Sequence, residues 1–283
     1  MMSAVGRSTI RLIGSLLICL VAAPSAFAWG REGHQIVAAI AKQRLSETAR
    51  AAIADLLGDL DSMANESVPA WADEIRRERQ VTAPWHYVNV PVGVASVVGY
   101  DGARDGKGGD TIVGAISRFE AVLKDKSAPR QDRIEALKFL IHFVGDIHQP
   151  LHCAARNNDR GGNSVLAYMP GATGQASNLH RIWDGELLRV YLAGKTSLEY
   201  AKTLTDQLDG TSAAAWSASP TPEAWATDGW QVAEAHVYPA VPHGQVTQLT
   251  AGYVAAVRPV VDTQLQKGGV RLAIVLNRAL ADR

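Results

Sequence analysis

Three histidines and one aspartate lie close together between His142 and His152, directly after the apolar residues 139–141. His142 and Asp146 are four positions apart, so they share one face of a helix. Pro150 is expected to end that helix and to turn His152 in a new direction. An imidazole and a carboxylate that point to one place are typical of metal chemistry. A single such pair is more often a plain buried hydrogen bond, so the rest of the chain has to decide.

The same residue types recur along the chain. His180 and Asp184 repeat the spacing of four at a capped helix start. Neutral imidazole and carboxylate are the usual ligands of zinc, and two such pairs on helices suit a site in a bundle core. The candidate side chains exceed what one tetrahedral ion needs and suit two or three ions: His34, Asp73, His86, His142, Asp146, His152, His180 and Asp184.

The first 28 residues have the pattern of a secretory signal peptide. Arg7 and Arg11 precede an apolar run at residues 12–23, and residues 26–28 form a small-x-small cleavage site before Trp29. A membrane anchor is the alternative, but the run is too short to span a bilayer comfortably. We therefore expect a secreted or periplasmic protein without a membrane anchor.

Cleavage before Trp29 would create a free amine five residues from His34. An α-amine has an ordinary pKa of about 8, so a metal ion can displace its proton. The amine and carbonyl of Trp29 can chelate a metal, with His34 closing the site. The alternative is an ordinary frayed terminus with a surface histidine.

The charge and cysteine content of the mature chain exclude one class of protein. Without the two arginines of the signal peptide, 26 basic and 28 acidic residues give a formal net charge of −2. This balance excludes a basic protein that coats nucleic acid, although it does not exclude a local site. Cys153 is the one cysteine left after cleavage, so no internal disulfide can form and metal ions are candidate staples.

The periodicity predicts an all-α (mainly helical) single domain at residues 29–283, with a small hairpin near residues 165–168 and exposed loops at 99–110 and 157–163. Pro69 is placed to start a helix that carries Asp73 and Arg76 on one face. Residues 84–91 are predicted to be extended. Further helices are predicted at 111–126, 131–149, 187–192, 197–208, 222–236, 245–264 and 269–280.

In the predicted extended segment, His86 and Val88 face one way and Tyr87 and Asn89 face the other. An aromatic ring and an amide on the second face can stack on and hydrogen-bond a nucleobase. A tyrosine packed in the core is nearly as common, and both interpretations stay open.

Together these pieces resemble the S1/P1 family of zinc-dependent nucleases, whose fold is related to zinc phospholipase C. The matching motifs cover essentially the whole mature chain: Trp29 with His34, Trp71-Ala72-Asp73 with Arg76, His86, His142 to Asp146, Gln149 to His152, Gly161-Gly162-Asn163, Asn178-Leu179-His180 with Trp183-Asp184, Arg271-Leu272-Ala273 and Leu276-Asn277.

The resemblance implies three zinc ions. One would be held by Asp73, His86, His142 and Asp146. A second would be held by His152, His180 and Asp184. The third would be held by the amine and carbonyl of Trp29, by His34, and by Asp146 as a bridge.

The resemblance also implies the activity. The protein would cut single-stranded DNA or RNA internally to 5′-phosphate products and remove the 3′-phosphate of 3′-nucleotides, through a zinc-activated hydroxide. Asp73, Asp146 and Arg76 are the expected catalytic residues, with Arg76 neutralising charge on the phosphoryl oxygens. Tyr87, Asn89 and Asn163 are the expected substrate-binding residues. We expect a monomer that forms no stable complex with nucleic acid.

Three departures from the family pattern are visible. The cysteines that form disulfides in fungal members are absent, and Asn89 stands where some members have aspartate. Residues 227–229 read Thr-Asp-Gly where Glu-Ser is expected after Trp225-Ala226. His148, His236 and His243 match no ligand position and are predicted to be structural or exposed.

Two other functions compete with a nuclease. A zinc phospholipase C would use the same metals, but it usually has glutamate where Asp184 stands. A non-catalytic exported zinc-binding protein would have no use for Arg76. A zinc protease is disfavoured because the chain contains no His-Glu-x-x-His.

Overall fold

The computed structural model describes residues 29–218 and 221–281, and the predicted signal peptide at residues 1–28 lies outside these ranges. The α-helices within them are α1 (Arg31–Lys42), α2 (Glu47–Leu57), α3 (Trp71–Ile75), α4 (Gly102–Asp105), α5 (Ile112–Lys124), α6 (Arg130–Asp146), α7 (Leu179–Arg181), α8 (Leu187–Leu192), α9 (Ser197–Gln207), α10 (Gly210–Ser217), α11 (Pro222–Val232) and α12 (Ala251–Ala279). Short 3₁₀ turns lie at Asp61–Ala64, Gln80–His86, Lys107–Gly109, Pro150–His152 and Tyr238–Ala240, and π-helical turns lie at Ile182–Glu186 and Ala233–Val237. The prediction of a mainly helical fold is confirmed.

Helix α6 lies at the centre of the core. It starts after Pro129 with Asp132 in its first turn, where a carboxylate favours the helix dipole. Nearly every residue from Ala136 to Asp146 is buried, so this half of the helix is covered on all sides. Helix α5 packs along α6, and α1 packs between α12 and α9. The buried half of α6 can therefore present polar side chains only to a site inside the protein.

Helix α12 is one continuous helix of 29 residues, so the prediction of two separate helices was wrong. The glycine pair at 268 and 269, where the second helix was predicted to begin, allows close packing inside the continuous helix. A Cβ atom on Gly269 would lie 2.4 Å from Cγ2 of Ile40, and one on Gly268 would lie 3.1 Å from Cγ2 of Val37. Both contacts are with α1, so the glycines let these two helices approach each other.

Two predicted element bounds were also wrong. Residues 80–86 form a 3₁₀ turn that contains Pro84, and extended backbone begins only at Tyr87, where φ is −153° and ψ is 168°. Helix α6 ends at Asp146, before the predicted end, because the amides of His148 and Gln149 bond three residues back. Pro150 keeps the residue before it extended, which rules out a further helical turn.

Two small sheets connect the loops. Strand β1 (Val90–Pro91) pairs in parallel with β2 (Ala154–Ala155), which joins the segment after His86 to the segment after His152. Strand β3 (Leu166–Tyr168) pairs antiparallel with β4 (Ser177–Asn178), as the hairpin prediction requires. The other edge of β3 pairs in parallel with β5 (Thr247–Gln248), a strand that the sequence analysis did not predict. The described residues contain no helix that is long and apolar enough to cross a membrane.

Candidate metal centre

Buried histidines and aspartates from separate elements meet at the C-terminal end of α6. Each is less than a tenth exposed: His34 on α1, Asp73 on α3, His86 after its 3₁₀ turn, His142 and Asp146 on α6, His152 on the 3₁₀ turn after Pro150, and His180 and Asp184 at α7 and the π turn. The structure thus brings together all eight side chains that the sequence analysis named as ligands. They form two groups. Asp146 belongs to the first group and lies 4.0 Å from His152 of the second.

The first group surrounds Asp146. Its Oδ2 atom lies 3.0 Å from Nδ1 of His86 and 3.2 Å from Nε2 of His142. Asp73 lies on the far side, with oxygens 3.7 Å from Nδ1 of His86 and 3.8 Å from Nε2 of His142. Two imidazoles and two carboxylates therefore face one small volume, which suits a tetrahedral ion.

His34 extends this group on the other side of Asp146. Its Nε2 atom lies 3.1 Å from Oδ1 of Asp146, and its ring stacks on His142 with centroids 3.9 Å apart. A Cβ atom on Gly145 would lie 2.7 Å from Nδ1 of His34, so glycine is needed beside the ligand. Asp146 therefore offers one oxygen to His86 and His142 and the other to His34.

Trp29 is packed close to His34. Its side chain is fully buried, and the next residue's amide, on Gly30, donates to the carbonyl of Asp184 at 2.7 Å. A Cβ atom on Gly33 would lie 2.7 Å from Cβ of Trp29, so α1 folds tightly back on the first residue described. The alternative prediction, a frayed terminus with a surface histidine, is wrong because Trp29 and His34 are both buried.

The second group consists of His152, His180 and Asp184. The Nε2 atoms of the two histidines are 3.1 Å apart, and the carboxylate oxygens of Asp184 lie 3.9 Å from His152 and 3.5 Å from His180. A π-helical turn, Ile182–Glu186, contains the aspartate. Such turns are rare and often occur at functional sites.

Backbone carbonyls fix the orientation of three of the histidines. Nδ1 of His142 lies 2.7 Å from the carbonyl of Pro69. Nδ1 of His152 lies 2.6 Å from the carbonyl of His86, and Nδ1 of His180 lies 2.7 Å from the carbonyl of Gly161. A carbonyl only accepts, so each Nδ1 carries the proton and donates it. In each of these rings Nε2 then faces the centre, which is the arrangement that metal-binding histidines usually have.

Several buried atoms in the centre lack hydrogen-bond partners among the described residues. They include both ring nitrogens of His34, Nε2 of His86, and one oxygen each of Asp73, Asp146 and Asp184. The short distance between His34 and Asp146 is not aligned as a hydrogen bond. Buried polar atoms without a partner are costly and rare in proteins. Imidazole and carboxylate donors in this state fit zinc ions.

Burial and neighbouring charge determine which imidazoles hold a proton. Burial, with the charge of His142, lowers the pKa of His34 to about 4, and burial, with the charge of His152, lowers that of His180 to about 3. Both are therefore neutral near pH 7 and ready to bind a metal. The pKa of His142 is raised to about 9. Burial alone would lower it, but the negative charges of Asp146 and Asp73 outweigh the effect of burial.

The predicted catalytic and substrate residues lie at the edge of the centre. Arg76 is one turn from Asp73, with Nη2 3.6 Å from its Oδ1 atom. Tyr87 and Asn89 are partly exposed while His86 and Val88 are buried, so the predicted alternation holds along this short extended stretch.

Asn163 contacts the backbone of its own loop. Its Nδ2 atom donates to the carbonyl of Arg160 at 2.9 Å, so the amide holds the shape of residues 157–163. Arg160 has a left-handed backbone, with φ at +59°, as have Asn157 and Asn158. A carbonyl of the same loop, on Gly161, is the acceptor for His180. The loop is thereby connected directly to a candidate ligand.

Gln149 is a residue of the centre whose role the sequence did not reveal. Its Nε2 atom donates to Oδ1 of Asp184 at 2.5 Å, and its Oε1 atom accepts from the amide of Leu151 at 2.6 Å. Its position next to Pro150 was visible in the motif. The partner is 35 residues away, so only the fold shows that Gln149 orients Asp184.

His148 lies on the opposite side of α6 from the centre. It is buried, its Nδ1 atom lies 2.7 Å from the carbonyl of Val144, and its Nε2 atom accepts from Arg271 at 3.0 Å. Arg271 also donates to Asp228 at 2.6 Å. The aspartate that departs from the family pattern therefore balances a buried arginine. His148 is structural, as predicted, and His236 and His243 are exposed.

Comparisons with known proteins agree with this geometry. The model of the S1/P1 Nuclease family matches residues 29–281. Endonuclease 2 of Arabidopsis thaliana is 33% identical over 92% of this chain and 93% of its own length. Nuclease S1 of Aspergillus oryzae is 29% identical over 94% of this chain and 97% of its own, and Nuclease P1 of Penicillium citrinum is 30% identical over 88% and 97%.

Proposed function

The chain belongs to the S1/P1 nuclease family, and from this premise we propose that it is a zinc-dependent phosphodiesterase that cuts single-stranded DNA and RNA. Its products would carry a 5′-phosphate, and it would also remove the 3′-phosphate of 3′-nucleotides. The similar proteins named as nucleases and endonucleases support this activity, since each aligns along nearly the whole chain. The enzyme would act as a monomer and release its nucleic acid after each cut.

One observation carries the proposal. Donors from α1, α3, α6, α7 and the turns between them converge on one buried volume, with histidine tautomers fixed by carbonyls and with carboxylate oxygens that have no partner. A fold that needed only stability would pair these atoms with each other. Residues 29–283 would form one catalytic domain after removal of residues 1–28.

Three zinc ions would be held as the family pattern implies. The proposed sets are Asp73, His86, His142 and Asp146; His152, His180 and Asp184; and the amine and carbonyl of Trp29 with His34 and Asp146. When bound, zinc lowers the pKa of a water to about 7 and neutralises negative charge on phosphate. The three histidines tethered through Nδ1 would need no reorientation to bind, because their Nε2 atoms already face the centre.

The protein's own residues would align and stabilise the phosphodiester. Arg76 is held near Asp73 at the rim, where its guanidinium can donate two hydrogen bonds to phosphoryl oxygens as negative charge increases. Asp146 can serve two ions because its two oxygens face different histidines. Gln149 holds the carboxylate of Asp184 in one orientation. Tyr87 and Asn89 are partly exposed, on the face where a base could stack and hydrogen-bond.

Export would be part of the chemistry of the enzyme. A Trp29 joined to residue 28 by a peptide bond has no amine, so removal of the signal peptide would complete the third ligand set. The burial of Trp29 and the hydrogen bond from Gly30 to Asp184 support this, because they hold Trp29 inside the protein near a candidate ligand. The family match also begins at residue 29.

Metal content and activity of the mature protein test the proposal together. We expect about three zinc ions per chain for residues 29–283, hydrolysis of single-stranded DNA to 5′-phosphate ends, loss of both with EDTA, and recovery with zinc. Phosphatidylcholine micelles serve as the control substrate, because a phospholipase C with the same metals would hydrolyse them. A zinc-loaded protein that cuts no nucleic acid would contradict the proposal.

A further inference from the structure

A cavity of about 320 Å³ is lined by residues of the two segments that follow His86 and His152. Asn89 stands three residues after the first histidine, and Pro91 of β1 and Ala155 of β2 also line the cavity. Arg160 lines it one residue before the Gly161 carbonyl that orients His180. Because these segments carry candidate ligands, a group bound here would lie near a phosphate at the metal centre.

The walls of the cavity differ in chemistry. Val92 and Val94 contribute apolar surface, and Val94 is 46% exposed. Asn89, Asn157 and Asn158 contribute amides. A flat apolar group with polar edges, such as a nucleobase, matches both surfaces.

Arg160 is the one charged side chain among the described residues that line this cavity. Within residues 29–218 and 221–281, its guanidinium forms no hydrogen bond and no ion pair. Its backbone is left-handed, with φ at +59°, which is unfavourable for a residue other than glycine. Asn163 supports that conformation through its bond to the Arg160 carbonyl. An exposed arginine held in this way is available to a ligand.

We propose that Arg160 selects the base of the nucleotide bound beside the metal centre and gives the enzyme a preference for guanine. The inference rests on the proposed nuclease function. A guanidinium only donates hydrogen bonds, and guanine offers two adjacent acceptors, O6 and N7, that match its fork. The amide oxygens of Asn89, Asn157 and Asn158 can accept from N1–H and the amino group of the same base.

The other bases fit this set less well. Adenine places an amino donor beside N7, where a guanidinium needs a second acceptor, and uracil and thymine offer single carbonyl oxygens. Cytosine offers N3 and O2 as adjacent acceptors on its unpaired edge, but it then has only one amino group to donate to the amide oxygens. We expect guanine to be preferred over adenine by roughly five- to tenfold in kcat/KM, near the low end for a bidentate contact because Arg160 is exposed.

The test compares the mature, zinc-loaded enzyme with Arg160→Gln and Arg160→Lys on the sixteen DNA dinucleoside monophosphates. Glutamine pairs with adenine through N6 and N7, so Arg160→Gln should move the preference at one of the two positions from guanine to adenine. Arg160→Lys should keep guanine first with a smaller ratio. Arg44→Gln removes an equally exposed charge away from the cavity and should leave the profile unchanged.

End sequencing of a random single-stranded DNA pool gives a second measurement that does not depend on dinucleotide turnover. A wild-type enzyme that cuts all sequences equally, or an Arg160→Gln variant that still prefers guanine, would overturn the inference while leaving the nuclease function intact. Failure of the zinc-loaded wild type to cut any single strand would instead refute the function itself.

Discussion

Two buried polar clusters lie on the same stretch of chain, and they differ in whether their atoms have partners. His142 and Asp146 belong to the metal centre, where nitrogen and oxygen atoms are close together but several lack hydrogen bonds. His148, on the other side of α6, has a partner for each ring nitrogen, and its neighbour Arg271 is paired with Asp228. Residue type and burial are therefore alike in the two clusters. The unpaired donor atoms distinguish a binding site from a structural network.

The strongest test of this difference is Asp146→Asn. The substitution removes the charge that both ion sites of the first group would share, so we expect loss of two zinc ions and a fall in nuclease activity of at least about 100-fold. Zinc content and kcat/KM on a single-stranded oligonucleotide measure the result. Full activity in this variant would refute the bridging role of Asp146.

Extension of the mature chain by one alanine before Trp29 should have the next largest effect. The amine would become a peptide nitrogen, and the added residue would have to enter a buried region. We expect about two zinc ions per chain and activity reduced by roughly 10- to 100-fold, as for a lost metal contact. Mature protein that starts at Trp29 is the matched control. Three tightly bound zinc ions in the extended protein would exclude the amine as a ligand.

The paired cluster should respond in the opposite way. Arg271→Met removes the donor to buried His148 and the shorter ion pair of Asp228, although Lys267 stays 3.5 Å from that carboxylate. The free energy of unfolding should fall by about 1–3 kcal/mol, as when a buried acceptor loses its donor. Denaturant unfolding measures the loss. The folded variant should still bind three zinc ions and keep kcat within about twofold, and selective loss of zinc would place this cluster in the functional site.

Part of the candidate site could be predicted from the spacing of residues that share one face of a helix. His142 with Asp146 and His180 with Asp184 are four residues apart, and each pair does meet in the structure. The contacts of Asp73 with His142 and of His86 with Asp146 span more than 50 residues, so only the resemblance to the nuclease family placed them there.

Other contacts could not be predicted because they depend on how helices pack. Asp228 and Arg271 are 43 residues apart and meet only where α11 approaches α12. The glycines at 268 and 269 lie where a separate helix was predicted to begin, yet they are needed for the close approach of α1. The local sequence does not show which helix packs against which, and both predictions needed that tertiary contact.

Tyr87→Ala examines the edge of the metal centre, where the effect should be smaller. The ring is partly exposed beside buried His86, so its removal should cost stacking with a base but leave the ligands in place. Stacking contributes about 1–3 kcal/mol per base, so KM for dinucleotides should rise by roughly fivefold or more with three zinc ions retained. Tyr87→Phe keeps the ring and should behave like the wild type. An unchanged KM in the alanine variant would mean that Tyr87 only packs against the protein.

The smallest effect should appear in the metal-free protein as a dependence of stability on pH. Burial lowers the pKa of His34 to about 4, below its ordinary value of 6.5, so the unfolded chain binds the additional proton between these pH values. Stability from neutral His34 is therefore complete above pH 6.5 and decreases as the pH falls toward 4. Between pH 7.5 and 5.5, we expect EDTA-treated wild type to lose about 1 kcal/mol more unfolding free energy than EDTA-treated His34→Gln. Urea titrations at the two pH values measure this difference, and equal losses in the two proteins would show that His34 is not held neutral before zinc binds.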